Sequence, residues 1–308
     1  MIFSRKQIIV THNGSFHADD IFACATLAWY LETKGKKYRI VRTRDESIIA
    51  KADYVLDVGG IYDHEHKRYD HHQPEGAGMR NNDIPYASFG LIWKHYGPSL
   101  CSDIRIADDI DRRLAQPIDA IDNGVSITDC NDHGLYDYGI HGVVSAYQAT
   151  SNETTKEHDK YFLYLVNFFK GVLKRELIHT QERYITIENI INQYSNQEDT
   201  SIVICSEKVS ISIAMQALGD HKEVAYVIAK SGSNNWKALA LRNNQSSFES
   251  RVPFPKAWAG KRNKELQELS GVDDAVFCHN SCNYICVAKS KEGALALAKR
   301  SLELHKKK

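Results

Sequence analysis

The chain has 308 residues, enough for two domains, and its 39 Lys and Arg balance 39 Asp and Glu to a formal net charge of zero. That balance excludes a molecule-wide field drawing in nucleic acid or an anionic membrane and leaves only a local basic groove for such a partner. An apolar fraction of 43% is enough for a sizeable core, yet no apolar run approaches the ~20 residues of a bilayer span. The opening MIFSRKQIIVTH passes straight into a strand pattern, without the apolar stretch and small-residue cleavage site of a signal peptide. The seven cysteines are odd in number, and Cys24 and Cys205 sit among apolar neighbours. They read as reduced core thiols of a cytoplasmic protein.

The β-branched run Ile8-Ile9-Val10-Thr11 predicts a buried strand that breaks at the loop HNGSFHADD. A helix follows from Asp19 to Thr33, with Ile21, Cys24, Ala25, Ala28 and Leu31 on its inward face. Asp19 and Asp20 fall in its first turn, where the helix dipole favours carboxylates. Tyr38 to Thr43 predicts a second strand, Glu46 to Lys51 a short helix and Tyr54 to Asp57 a third strand. Strand, helix, strand, helix, strand is the start of a parallel α/β domain.

A polar, glycine-rich loop, QPEGAGMRNNDIP, precedes a helix from Ala87 to Tyr96 and another from Ile104 to Ile121, kinked near Pro117. Asn131 to Tyr138 is loop-like, and Glu153 to Gln193 is mainly helical. YSNQEDT then suits an inter-domain hinge. Beyond it, Ile202 to Ile204, Val224 to Ala229 and Trp236 to Leu241 predict strands of a mixed sheet, with a helix from Ile211 to Leu218. Strands near Val276 and Ile285 and a helix from Glu292 to His305 close the chain.

Chemistry concentrates in VLDVGGIYDHEHKRYDHH, residues 55–72. An acid at a strand end followed by Gly-Gly lies where open α/β sheets bind ligands. Imidazole and carboxylate are the ligands for borderline and hard divalent ions. His12, His17, Asp19, Asp57, His71, His72 and Asp122 all fall at strand ends or helix starts that a parallel sheet brings to one edge. Such a set can hold two divalent cations, activate water and stabilise a displacement at phosphorus, with Asp57 as the bridging ligand.

Four motifs in order, THNGSFHADD, DVGG, RYDHHQ and DAIDNG, resemble the Myg family, named after a melanocyte proliferating gene. That family is a branch of the DHH phosphoesterases, alongside RecJ nucleases and family II inorganic pyrophosphatases. The likeness continues through RVPFPKAWAGKR, SGV and EGALALA. It implies an α/β fold with a parallel-sheet DHH domain and helical connector over residues 1–195. A smaller mixed α/β domain would follow over 196–308, with the active site in the cleft between them. It further implies a 3′–5′ exonuclease acting on RNA or short single-stranded oligonucleotides with two Mn2+ ions, Mg2+, Co2+ or Zn2+ being the alternatives. The family has also been labelled as metal-dependent protein hydrolases.

By position, His12, His17 and Asp57 would hold one ion, and Asp19, Asp57, His71 and Asp122 the other. His72 would face the scissile phosphate, stabilising its oxygens or protonating the leaving group. The wider superfamily usually has Asp where this chain has His17, one residue nearer His12. After the position of His279 the family tends to have a Gly-Phe-Ile-Gly-Gly-like run, where this chain reads Ser281-Cys282-Asn283-Tyr284-Ile285-Cys286.

Other readings stand beside these. Asp119 competes with Asp122 for the last ligand place. Asp70 reads as a group that fixes a histidine or a turn, and His64 and His66 as exposed, non-ligating imidazoles. Cys278, His279, Cys282 and Cys286 lack the spacing of paired CxxC arms and suit strand packing. Arg251 suits a substrate phosphate or a surface ion pair. Trp236 and Trp258 suit base stacking or the core. The alternative functions are a small-molecule phosphatase or pyrophosphatase, and a metal-stabilised binding module without turnover. No membrane partner is expected, and a homodimer is the default oligomer.

Overall fold

The β-branched run near the N-terminus forms β1 (Gln7–Thr11), in a computed structural model that describes residues 5–127, 135, 137–232, 234–280 and 283–306. Helix α1 (Ala18–Thr33), β2 (Tyr38–Arg42), α2 (Glu46–Ile49) and β3 (Tyr54–Leu56) follow, the parallel α/β start expected from the pattern. A small antiparallel hairpin of β4 (Tyr62–Asp63) and β5 (Arg68–Tyr69) then leads into Asp70-His71-His72. The sheet order is β2-β1-β3-β5-β4, with β1, β2, β3 and β5 parallel.

Register pairs Ile9 with Tyr54 and Val10 with Val55. Ile9, Val10, Val55 and Leu56 are wholly buried, each side chain contributing roughly 1.5–3 kcal/mol on leaving water. Helix α1 packs on α3 (Ser88–Tyr96), where Phe22 meets Phe89 at 5.0 Å between ring centroids.

The helix expected over Ile104 to Ile121 is three segments: α4 (Ile104–Ile110), one π-helical stretch over Asp111–Ala115, and α5 (Gln116–Asp122). Pro117 has no N–H, and its ring would clash with the carbonyl four residues back in a regular α-helix. The wide turn absorbs that conflict. It leaves Asp119 buried and Asp122 at the end of α5.

Short helix α6 (Gly139–Ser145) precedes the 41-residue α7 (Thr155–Ser195). The chain divides into two compact units, Met1–Thr180 and Gln181–Lys308, so the division falls inside α7 and ahead of the YSNQEDT stretch.

The second unit contains β6 (Ile202–Ile204), α8 (Ile211–Leu218), β7 (Tyr226–Ser231), β8 (Asn235–Ala240), α9 (Asn263–Ser270), β9 (Ala275–Cys278), β10 (Ile285–Ala288) and α10 (Lys291–Lys306). Its sheet runs β6-β7-β8-β10-β9, parallel between β6 and β7 and antiparallel elsewhere, so this half is the mixed α/β unit expected. Tyr226, Phe254, Trp258 and Leu266 fill one of its cores. Among the described residues no helix is long and apolar enough to cross a membrane.

Candidate metal centre

The carboxyl ends of the parallel strands carry the expected side chains to one edge: His12 beyond β1, Asp57 beyond β3 and Asp70-His71-His72 beyond β5. Asp57 sits in the left-handed region with φ +54° and is followed by Gly59 at +96° and Gly60 at +67°. That conformation disfavours most L-residues by about 1–2 kcal/mol, and Asp is among those that tolerate it. Its N–H donates to Tyr69 O at 3.0 Å, and Ser88 Oγ donates to the same carbonyl at 2.7 Å. The turn is therefore pinned to the next strand and to α3, and it aims the Asp57 carboxylate inward.

Asp57 is 2% exposed, and its two oxygens face different partners. Oδ2 lies 3.3 Å from His12 Nε2, which is 3.1 Å from Asp20 Oδ2. Oδ1 lies 3.3 Å from His71 Nε2, which is 3.2 Å from Asp122 Oδ2. Three groups of potential ligand atoms result: His12, Asp20 and Asp57; Asp57, His71 and His72; Asp19, His71 and Asp122. Asp20 Oδ2 and His71 Nε2 are enclosed yet make no directed hydrogen bond among the described residues. Buried polar atoms normally find a partner, and atoms converging without one suit a cation between them.

The electrostatics agree. Burial pushes the Asp19 carboxyl well up, and Asp57 and Asp122 push it the same way. Burial alone would raise Asp57, but contacts with His12 and His71 hold it below the usual carboxylate range. Burial lowers His12 and His71, but Asp20 and Asp57 carry the first up to about 10, and Asp122 and Asp57 the second up to about 11. Buried acids here call for positive charge among them; a divalent ion would supply it and displace the imidazole protons, leaving neutral ligands.

Asp70 organises the loop around these atoms. It accepts from Gly60 N at 2.6 Å, His71 N at 2.8 Å and His72 N at 3.2 Å, and it holds His72 Nδ1 at 2.8 Å. His72 is mostly exposed, its Nδ1 is committed, and its Nε2 remains for a bound group. The Asp70 contact comes first among the causes that raise its pKa. A cavity of about 680 Å³ opens over His12, His17, Asp57, Asp70 and His72, within the usual range for ligand sites.

Asp19 accepts from Ser88 N at 3.0 Å and Phe89 N at 2.7 Å, satisfying the first turn of α3. Asp119 pairs with Arg80 at 2.8 Å and accepts from Gly90 N, so Asp122 is the acid beside His71. His64 stacks on His95, and His66 bonds Asp63 on the surface.

Two sequence expectations change. His17 is outside all three ligand groups, exposed, with Nδ1 3.9 Å from Asp122; Asp20 takes the place beside His12 and Asp57. The reason is helix phase: α1 begins at Ala18, so Asp20 in the first turn faces β1 while His17 stays at the rim. The adjacent acids of that turn are the available signal in the sequence, and dipole complementation alone suffices to explain them.

Arg251 is the second. Its Nε donates to Arg242 O, Nη1 to His221 O and Val224 O, and Nη2 to Leu218 O and Gly219 O. All five donors are engaged, two of them on carbonyls at the end of α8. The residue is a structural clasp of the second unit. Trp258 is core and Trp236 packs against that core. Cys278 and Cys286 face each other across β9 and β10 as buried thiols, and Cys282 lies outside the described residues.

Fold and site together define an α/β protein with a buried carboxylate–imidazole centre suited to divalent cations. Residues 8–302 match the MYG1_exonuc family, described as an uncharacterised protein family (UPF0160), and the chain belongs to that family. It is 31% identical to the MYG1 protein C27H6.8 of Caenorhabditis elegans over 97% of this chain and 96% of that one. It is 28% identical to the human MYG1 exonuclease, over 96% of this chain and 85% of that one. Among solved structures, RecJ in complex with Mn2+ from Thermus thermophilus gives a TM-score of 0.28 at 13% identity. That alignment covers 98% of this chain, which spans about half of the RecJ chain (52%).

Proposed function

We propose that the protein is a metal-dependent phosphodiester hydrolase, a 3′–5′ exonuclease on RNA or short single-stranded oligonucleotides that works with two Mn2+ ions. The observation carrying this reading is Asp57, whose two oxygens face His12 and His71 in separate ligand groups, as a bridging carboxylate must. Membership of a family whose human relative bears the name exonuclease supports the choice of a nucleic acid substrate.

His12, Asp20 and Asp57 would hold one ion, and Asp57, His71, Asp122 and Asp19 the other. When bound, the pair supplies Lewis acidity and lowers the pKa of water for attack at phosphorus. The protein's own part begins with Asp57, fixed by its left-handed turn so that the two ligand groups keep one spacing. Asp70 locks the His72 ring through Nδ1, leaving Nε2 to donate to a non-bridging phosphate oxygen or to protonate the departing sugar oxygen. Asp19 ties the site to α3 and limits its reorganisation.

The test is hydrolysis by metal-stripped protein with Mn2+, Mg2+, Co2+ or Zn2+ restored. Substrates are end-labelled single-stranded RNA, matching DNA, a dinucleotide and pyrophosphate, with Asp57→Asn and His71→Ala as controls. Mononucleotide release from the 3′ end of RNA, dependent on Mn2+ and lost in both variants, is expected. Cleavage of pyrophosphate alone would move the protein to small-molecule metabolism. Metal binding with no hydrolysis of any substrate would make it a binding module.

A further inference from the structure

The cavity over the metal centre has one wall that the proposed chemistry does not use. Arg44 lines it, together with His12, Asp57, Asp70 and His72. The arginines of the same unit differ sharply in their commitments. Arg42 is buried against Asp159 and the Gly14 carbonyl, Arg80 is held by Asp111 and Asp119, and Arg68 lies on the Ala52 and His66 carbonyls. Arg44 is exposed and makes no hydrogen bond or ion pair among the described residues. Its acidic neighbour Asp45 is occupied, accepting from Ser47 N at 2.8 Å and Ser47 Oγ at 2.6 Å to start α2. A guanidinium thus borders a cavity rich in carboxylates without pairing to any of them, which leaves it for an incoming anion.

Its place in the sheet sets which anion. Thr43 N donates to Thr11 O at 2.8 Å, so the chain leaving β2 runs beside the chain leaving β1 toward His12. Across the edge the order is Arg44 after β2, His12 after β1 and Asp57 after β3. Two strand spacings, about 10 Å, separate the first from the last. One phosphate group held at Asp57 is too small to cover that span, whereas two successive phosphates of an oligonucleotide are long enough to cover it.

We infer that Arg44 binds the phosphate neighbouring the scissile one, and so selects substrates carrying at least two phosphodiesters in sequence. This deepens the phosphoesterase reading and rests on it. A planar guanidinium pairs with two phosphate oxygens at once, which an ammonium does not reproduce. Arg44 is a binding residue here and takes no part in bond breaking.

The test compares a dinucleoside monophosphate with a trinucleoside diphosphate as substrates for wild-type protein, Arg44→Ala and Arg44→Lys, all loaded with Mn2+. Wild type is expected to prefer the longer substrate. Arg44→Ala is expected to cut that preference by about tenfold to a hundredfold, through KM rather than kcat. Arg44→Lys should recover part of it. The salt dependence of binding should become shallower by about one unit of logarithmic slope in the alanine variant.

Equal losses on both substrates, or no loss on either, overturn the assignment. Should wild type cleave neither, the phosphoesterase reading fails separately. Fluorescence anisotropy of a labelled trinucleotide then decides the matter for Arg44: equal affinity for wild type and Arg44→Ala overturns it, and weaker affinity for the variant supports it.

Discussion

The imidazoles of His64 and His95 stack with centroids 3.6 Å apart and planes 7° from parallel. His95 Nε2 meets Tyr62 OH at 2.8 Å, and His64 Nδ1 meets Tyr69 OH at 2.8 Å, so the stack seals the β4–β5 hairpin onto α3. Burial lowers the His95 pKa to about 4, and the facing His64 and neighbouring Lys94 act in the same direction.

Between about pH 4 and pH 6.5 the unfolded chain holds a proton on His95 that the folded chain refuses, so stability rises with pH through that window. It is fully present above 6.5 and lost on acidification. Partial exposure discounts the effect to about 1 kcal/mol. Melting curves from pH 7 to 4.5 should show wild type losing more Tm than His95→Gln; parallel curves would remove His95 as the cause.

Asp20 and His17 make opposite claims on the first ion, and geometry favours Asp20, with Oδ2 3.1 Å from His12 Nε2. Asp20→Asn should weaken Mn2+ binding by about a hundredfold or more, beyond the loss usual for outer partners of a metal ligand. His17→Ala should change it by no more than about threefold. Isothermal titration of metal-stripped protein decides it; the reverse ranking would restore His17 as the ligand.

Much of the first unit is legible in the sequence because apolar periodicity and ligand chemistry coincide there. The apolar runs from Ile8 to Leu56 mark the parallel start, and an acid before Gly-Gly marks the turn at Asp57. His17 against Asp20 is not legible, since it depends on the phase of a helix start, which a difference of one residue reverses. The β4 and β5 strands are two residues each, too short for a period of two to show. Helix α9 is polar except for Leu266 and Leu269, and its one strong marker, Gly271 in the left-handed C-terminal position, follows it. Arg251 beside Val-Pro reads as a phosphate contact or a surface ion pair because the carbonyls that meet it, at the end of α8 and beyond β8, are invisible in the string.

Gly90 admits no side chain. A Cβ there would lie 1.8 Å from Asp119 Oδ2 and 2.5 Å from Arg80 Nη2, both on well-packed groups. Gly90→Ala must therefore separate the buried Arg80–Asp119 pair or shift α3, along with the Ser88 and Phe89 amides that bind Asp19. A loss of about 2–4 kcal/mol in urea denaturation is expected. A change under ~1 kcal/mol would mean the pair relocates freely.

Arg251 supplies the last contrast between a substrate role and a structural one. Replacing it with Met keeps the apolar stem but removes the guanidinium from the carbonyls of Leu218, Gly219, His221 and Val224, of which the first three keep a second donor in His221 N, Lys222 Nζ and Val224 N. Each charge-assisted bond so lost costs on the order of 1 kcal/mol, partly recovered through the remaining donors and water. Arg251→Met should thus destabilise the protein by about 2 kcal/mol, seen as a lower urea midpoint. KM for an oligonucleotide, measured well below that midpoint, should stay within about twofold of wild type. A raised KM at unchanged stability would instead place the guanidinium on the substrate, because a clasp of internal carbonyls affects folding before it affects binding.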